Sequence, residues 1–261
     1  MTHSYHQARK RFGQHFLVNE TVLEKITAAI GLSTTDHVVE IGPGKGALTQ
    51  YLLPLVNHLT VIEIDHDLAG YLRSRFENIV NFTLYNTDVL HFDWSATFTT
   101  RQRLVGNLPY NITSVLLFQL FEFTELIQDM HFLLQKEVVD RLTAAPGSSN
   151  YSRLSVMAQY HANICSLFEV EASCFDPPPR VESAFARFDL HATPPYPAKN
   201  FALFAKIVKE AFCYRRKTLA NSLSHFINAQ QLEQLGIDPH WRPQQISVEN
   251  FVKISNSGFI S

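Results

Sequence analysis

The sequence predicts an open α/β sheet followed by a smaller all-helical region. Three observations predict it. Strand-like and helix-like segments alternate at a spacing of about twenty residues, the pattern of a parallel sheet with helices on both faces. A glycine-rich loop, Gly42-Pro43-Gly44-Lys45-Gly46, joins the first such strand to its helix, as in nucleotide-binding α/β units. After His191 the strand pattern stops, and residues 193–197 hold three prolines, which marks a linker. The expected division is therefore 1–192 for the sheet domain and 193–261 for the helical one.

The elements follow in order. Residues 21–30 have apolar side chains at Val22, Leu23, Ile26 and Ile30, the helical period. Residues 37–41 form a short apolar strand that runs into the glycine loop, and a helix resumes over 47–55. Residues 59–64 are the next strand, 68–76 a helix, 80–85 a strand, and 103–106 another. The helix over 112–123 leads to a strand at 130–134. Helices are expected at 136–144 and 153–160, and strands at 164–170 and 182–190. Beyond the linker, 201–212, 216–225, 229–235 and 248–254 carry only helical patterns.

Composition narrows the function classes. With 261 residues, 46% of them hydrophobic, the chain is long enough for a sizeable core. No run of about 18 apolar residues predicts a membrane span, and the polar N-terminus has no signal-peptide core. The cysteines Cys165, Cys174 and Cys213 are scattered without metal-ligand spacing, so a reduced, cytoplasmic protein without a metal is expected. The net charge of −2 hides an asymmetry. From Ala186 onward nine Lys and Arg stand against five Asp and Glu, net +4, while the remainder has thirteen against nineteen, net −6. Local sign matters more than the sum for phosphate binding.

Four successive strand ends carry Gly42, Glu63, Asp88 and Asn107. Glycines let a backbone approach a ligand closely. Glu63 lies 21 residues after Gly42, where an acid can accept both hydroxyls of a ribose. Asp88 is placed to accept from an adenine amino group. The loop type alone serves NAD, nucleotides or S-adenosylmethionine. Its third glycine comes one residue early for a dinucleotide fingerprint, and it lacks the P-loop Lys-Ser/Thr. The stretch Gly106-Asn107-Leu108-Pro109-Tyr110-Asn111 then places an amide, a rigid proline and an aromatic ring together. The amide of Asn107 and the main chain of Leu108 would accept from an exocyclic amine, Pro109 would stiffen the turn, and Tyr110 would stack on a flipped base. A plain turn explains the same residue types; the three strand ends before it favour the site.

These motifs, with Arg9-Lys10-Arg11-Phe12-Gly13-Gln14-His15-Phe16-Leu17 and the stretches 130–138, 153–160, 175–183 and 215–223, resemble the rRNA adenine N6-dimethyltransferase family over essentially the whole chain. The resemblance implies a class I S-adenosylmethionine-dependent methyltransferase, a Rossmann-like seven-stranded sheet with a small C-terminal all-α domain. It implies transfer of two methyls to each of two adjacent adenines in the 3′-terminal hairpin of 16S rRNA, late in assembly of the small ribosomal subunit. The enzyme would act as a monomer on the immature subunit. Carried over residue by residue, the cofactor contacts fall on His15, Leu17, Gly42, Glu63, Asp88 and Asn107. The family usually has Asn where His15 stands. Catalytic positions fall on Asn107, Leu108, Pro109, Tyr110 and Phe175, the last closing on the second face of the adenine. Arg215, Arg216 and Lys217 would contact rRNA phosphates. Three other readings remain: a 23S rRNA dimethylase of the antibiotic-resistance type, a mainly non-catalytic assembly factor, and a nicotinamide dehydrogenase.

Overall fold

The structure is a computed structural model and describes residues 14–214 and 216–259. Arg215 and the basic cluster at residues 9–11 lie outside the described residues. The chain divides into two compact units, one of residues 1–139 and 165–190, the other of 140–164 and 191–261.

The first unit opens with a two-residue strand, β1 (Phe16–Leu17), and helix α1 (Glu20–Ile30). Asn19 caps that helix by accepting from the Val22 N–H at 3.0 Å, and Gly31 ends it in the left-handed region at φ 64°. Strand β2 (His37–Ile41) spans the expected residues and is followed by α2 (Thr49–Leu52), which tightens into a 3-10 turn at Pro54. Then come β3 (His58–Glu63), α3 (His66–Arg75), β4 (Phe82–Asn86), the short α4 (Trp94–Thr97), β5 (Gln102–Asn107), α5 (Thr113–Leu120) and β6 (Ile127–Gln135). The chain leaves through α6 (Lys136–Leu142), passes α7 (Arg153–His161), and returns through β7 (Ala162–Val170), β8 (Phe175–Asp176) and β9 (Ser183–Leu190).

The expected seven-stranded sheet is present, in the order β4-β3-β2-β5-β6-β9-β7. Pairing is parallel from β4 through β6 and antiparallel between β6 and β9. The central strands are buried on both faces, Val38, Val39, Leu59, Val61, Leu104 and Val105 all at 0% exposure, which explains their continuous apolar runs. Strand order reverses between β2 and β5, so the loops leaving their carboxyl ends diverge and open a crevice there. Gly106 makes that join possible: a Cβ on it would lie 2.5 Å from the Ile41 carbonyl oxygen on β2. At the other end of the sheet Arg103 ties β5 to β6 and to the end of α1. It donates to Asp129 and Asp36, and to the carbonyls of Ile30 and Gly31, at 2.8–3.2 Å.

The second unit gathers α7 with α8 (Phe201–Ala211), α9 (Leu219–Ser222), α10 (Ala229–Gln234) and α11 (Val248–Asn256). The Tyr160 ring packs 4.8 Å from that of Phe204, and its hydroxyl accepts from the Ala198 N–H at 3.1 Å. Residues 140–164 precede the linker yet group with the helices beyond it. The reason is that α7 buries Val156, Met157 and Tyr160, and the other helices of its unit supply the apolar partners. The helix expected over 216–225 shortens to α9. Among the described residues no helix is long and apolar enough to cross a membrane, and no cluster of three or more His, Cys, Asp or Glu could hold a metal ion.

Candidate active site

A cavity of about 600 Å³ opens at the carboxyl ends of β2, β3 and β5. It is lined by His15, Leu17, Gly42, Glu63, Asp88 and the run Asn107-Leu108-Pro109-Tyr110, so nearly all the sequence-predicted contacts meet in one place.

The floor is the glycine loop. Gly42 and Gly44 have φ of 68° and 59°, in the left-handed region that side-chain-bearing residues avoid. Gly44 must also be bare, since a Cβ there would come within 2.9 Å of the Phe16 ring. Its N–H donates to Glu63 Oε2 at 3.1 Å, and the Asp65 N–H donates to Oε1 at 2.9 Å. The carboxylate is thereby held in place in the lining of the cavity. Burial pushes its pKa up to about 7, against the lowering effect of the Asp65, Gly44 and Ile64 N–H groups, with the Asp65 charge adding to the rise.

Glu40 is a buried carboxylate that no sequence argument assigned. It lies near the end of β2, is 2% exposed, and accepts from Thr49 Oγ1 at 2.6 Å, pinning α2 to the strand end. Burial raises it to about 7, with the Thr49 bond opposing and the Glu63 charge adding. An acid inside an otherwise apolar strand was the available signal.

Asp88 lies at the mouth. Its Oδ1 accepts from the Leu90 N–H at 3.0 Å, and the carboxylate remains partly exposed. It is thus a fixed acceptor beside the crevice.

Asn107 ends β5. Its Nδ2 donates to the His15 carbonyl at 2.9 Å, which orients the amide so that Oδ1 is the acceptor offered to the cavity. The His15 backbone is thus the group that meets Asn107, and its ring Nδ1 lies 2.7 Å from the Pro177 carbonyl. The His15 ring also stacks on Tyr110, with centroids 6.0 Å apart and planes at 24°. The Tyr110 hydroxyl is 3.0 Å from Ser183 Oγ, a side chain the sequence reading did not reach. Leu108 donates its N–H to the Leu133 carbonyl at 3.2 Å, and the Ile112 N–H closes the Pro109 turn at 3.2 Å.

The structure places Phe175 in the core. It pairs with Leu17 in the β1–β8 ladder, is 3% exposed in the core, and does not line the cavity. Its aromatic ring was expected on a base; it is instead the apolar anchor of the short ladder next to His15. Arg216 and Lys217 are exposed in the second unit, and Arg215 lies outside the described residues.

The cavity suits S-adenosylmethionine. A buried acid matches a ribose diol, an uncrowded glycine backbone admits close approach, and an acceptor at the mouth matches an adenine amine.

A sequence profile of the ribosomal RNA adenine dimethylase family matches residues 5–258. The chain is 53% identical over 250 residues to ribosomal RNA small subunit methyltransferase A of Coxiella burnetii (strain CbuG_Q212), covering 95% of this chain and 96% of that one. It is 49% identical over 256 residues to the protein of that name from Hydrogenovibrio crunogenus, covering 96% of each. A dimethyladenosine transferase from Plasmodium falciparum superposes with a TM-score of 0.80 at 27% identity, over 92% of this chain and 96% of that one. The 23S rRNA methyltransferase ErmE superposes with a TM-score of 0.74 at 24% identity, over 92% and 97%, a likeness of fold.

Proposed function

The chain belongs to the ribosomal RNA adenine dimethylase family and is an S-adenosylmethionine-dependent rRNA methyltransferase, and from that premise we propose that it dimethylates N6 of two adjacent adenines in the 3′-terminal hairpin of 16S rRNA. It would act in the cytoplasm, as a monomer, on the immature small subunit. The small-subunit names of its relatives support 16S over 23S rRNA. One observation carries the site assignment: the Asn107 amide, oriented by the His15 carbonyl, in the same cavity as Glu63 and Asp88.

Glu63 would hold the ribose hydroxyls, Asp88 the adenine amine of the cofactor, and Gly42, Leu17 and the His15 backbone the rest. When bound, S-adenosylmethionine supplies an already activated methyl electrophile, so no strong general base is required. The target amine is a poor nucleophile because its lone pair is delocalised into the ring. Asn107 Oδ1 and the Leu108 carbonyl would each accept one of its hydrogens and draw the nitrogen toward a tetrahedral shape. Pro109 would keep those two acceptors in register, and Tyr110 would stack on the base. The amine so held would be placed to take that methyl, and its spare proton would pass to water. Phe175, which pairs with Leu17, would support the site by holding β1, and Arg215, Arg216 and Lys217 would contact phosphates.

Single-turnover methyl transfer on purified small subunits tests the assignment. Asn107→Ala should keep the fold and subunit binding but slow transfer by about 10²-fold or more, the scale for one preorganised contact to a reacting group. Tyr110→Phe keeps the stacking face and loses only the Ser183 partner, so it should slow transfer far less than Tyr110→Ala. A near-normal rate for Asn107→Ala would remove this loop from the chemistry, and unchanged subunit binding alone would then favour an assembly role.

A further inference from the structure

We propose that Tyr214 and Trp241 form a stacking platform for unpaired bases of RNA, with Arg216, Lys217 and Arg242 around it for the phosphates. The proposal rests on the rRNA reading above and adds a base-contacting surface in the second unit.

Two segments remote in sequence meet here. The Leu219 N–H donates to the Trp241 carbonyl at 2.7 Å, and the Ala220 N–H donates to the Pro239 carbonyl at 3.2 Å. That brings the turn 238–242 beside the segment that leads into α9. The turn is held rigidly. His240 N–H donates to Asp238 Oδ1 at 2.8 Å, Trp241 N–H to the Asp238 carbonyl at 3.2 Å, and Arg242 N–H to Gln245 Oε1 at 2.8 Å. Pro239 and Pro243 are buried on either side of it. Between two buried prolines, the indole stays 38% exposed, and Tyr214 is 51% exposed. Trp241 is thus held in water on a fixed turn, and Tyr214 lies exposed in the segment that leads into α9.

The charges choose the partner. Arg216, Lys217 and Arg242 are exposed in the two segments that carry the rings, and Lys217 Nζ sits 4.0 Å from the centre of the Tyr214 ring. The cores of protein–protein interfaces are depleted in lysine, whereas single-stranded nucleic acid is bound by aromatic faces set among cations. The one acid in the turn, Asp238, already accepts the His240 N–H.

The chain carries its own reporter. It has two tryptophans, and Trp94 is 1% exposed among Phe92, Phe98 and Phe123, so quenching by a large ligand reads Trp241. The full-length protein is titrated with a single-stranded oligoriboadenylate and, separately, with inorganic polyphosphate, which has charge but no bases. We expect the oligonucleotide to quench tryptophan emission, polyphosphate to bind without quenching, and Trp241→Phe to abolish the quench while keeping most of the affinity. Trp241→Ala and Tyr214→Ala should each weaken oligonucleotide binding by about 5-fold or more, the lower range for loss of one stacked base. Chemical denaturation with the wild-type midpoint and cooperativity shows that the variants are folded. Oligonucleotide binding with unaltered emission and unaltered affinity in Trp241→Ala overturns the platform but leaves the phosphate contacts. Equal quenching by polyphosphate also overturns it. Failure of both the oligonucleotide and the small subunit to bind overturns the rRNA reading of this unit together with the platform.

Discussion

Glu63, which we assign to the ribose, is expected to make cofactor binding depend on pH. Its native pKa is about 7 against an ordinary 4.5, because burial disfavours the charged form. Between those values the native state holds a proton that the unfolded chain has released. Stability therefore falls as pH rises from about 4.5 to 7, and the cost of the buried charge is fully present above 7. Glu40, also raised to about 7, contributes in the same sense. Cofactor binding runs the other way, since ribose hydroxyls donate best to the ionised carboxylate. Affinity for S-adenosylmethionine, measured by calorimetric titration from about pH 5.5 to 8.5 to bracket the raised pKa, should rise with pH through about 7. Glu63→Gln should bind several-fold more weakly and flatten that profile, because hydrogen bonds to a charged acceptor contribute about 1.5–3 kcal/mol each. Glu40→Gln should leave the slope in place, as Glu40 already serves Thr49.

Among the elements, β5 joins the site to the base of the sheet. Asn107 ends it at the cavity, and Arg103 near its start meets two carboxylates and two helix-terminal carbonyls. Arg103→Leu would leave Asp129, 5% exposed, without its bidentate partner. Loss of one side of a buried pair costs about 3–5 kcal/mol, so chemical denaturation should show a large drop in stability. Whatever fraction remains folded should bind cofactor normally, because the defect lies at the far end of the strand. An equal loss of affinity would mean that the two ends are coupled. The β1–β8 ladder is the other element that matters. It has only two residue pairs, yet it fixes the chain next to the His15 carbonyl that orients Asn107.

At the scale of the whole molecule, the two units alternate along the chain, which makes it hard to cut. A fragment ending at residue 192 keeps α7 but loses α8 and α11, which pack against it. It should expose Tyr160, Val156 and Met157, bind hydrophobic dyes and precipitate; a well-behaved, cooperatively folding fragment would contradict the unit boundaries. The positive sign of the C-terminal stretch gives a second expectation. Neutralising Arg215, Arg216 and Lys217 should weaken small-subunit binding and lower its salt slope by about one per lost phosphate contact. Cofactor affinity should stay at the wild-type value. A salt slope equal to wild type would mean these cations face solvent.

The sequence by itself determined the sheet, its strand ends and the chemistry available there. Apolar runs buried on both faces have few alternatives to a parallel sheet, and a strand that ends in Gly42, Glu63 or Asn107 leaves a recognisable mark within a few residues. Those signals are local. Only the tertiary structure decided which groups from distant segments act together. The His15 carbonyl meets Asn107 across 92 residues, Ser183 meets Tyr110 across 73, and residues 140–164 group with helices beyond the linker. It also decided that Phe175 faces the core, because a two-residue ladder too short to show any periodicity turns its ring inward. Strand period and helix period are carried by neighbours along the chain; amide orientation, burial of a ring and the pKa of Glu63 are set by the groups that folding brings against them.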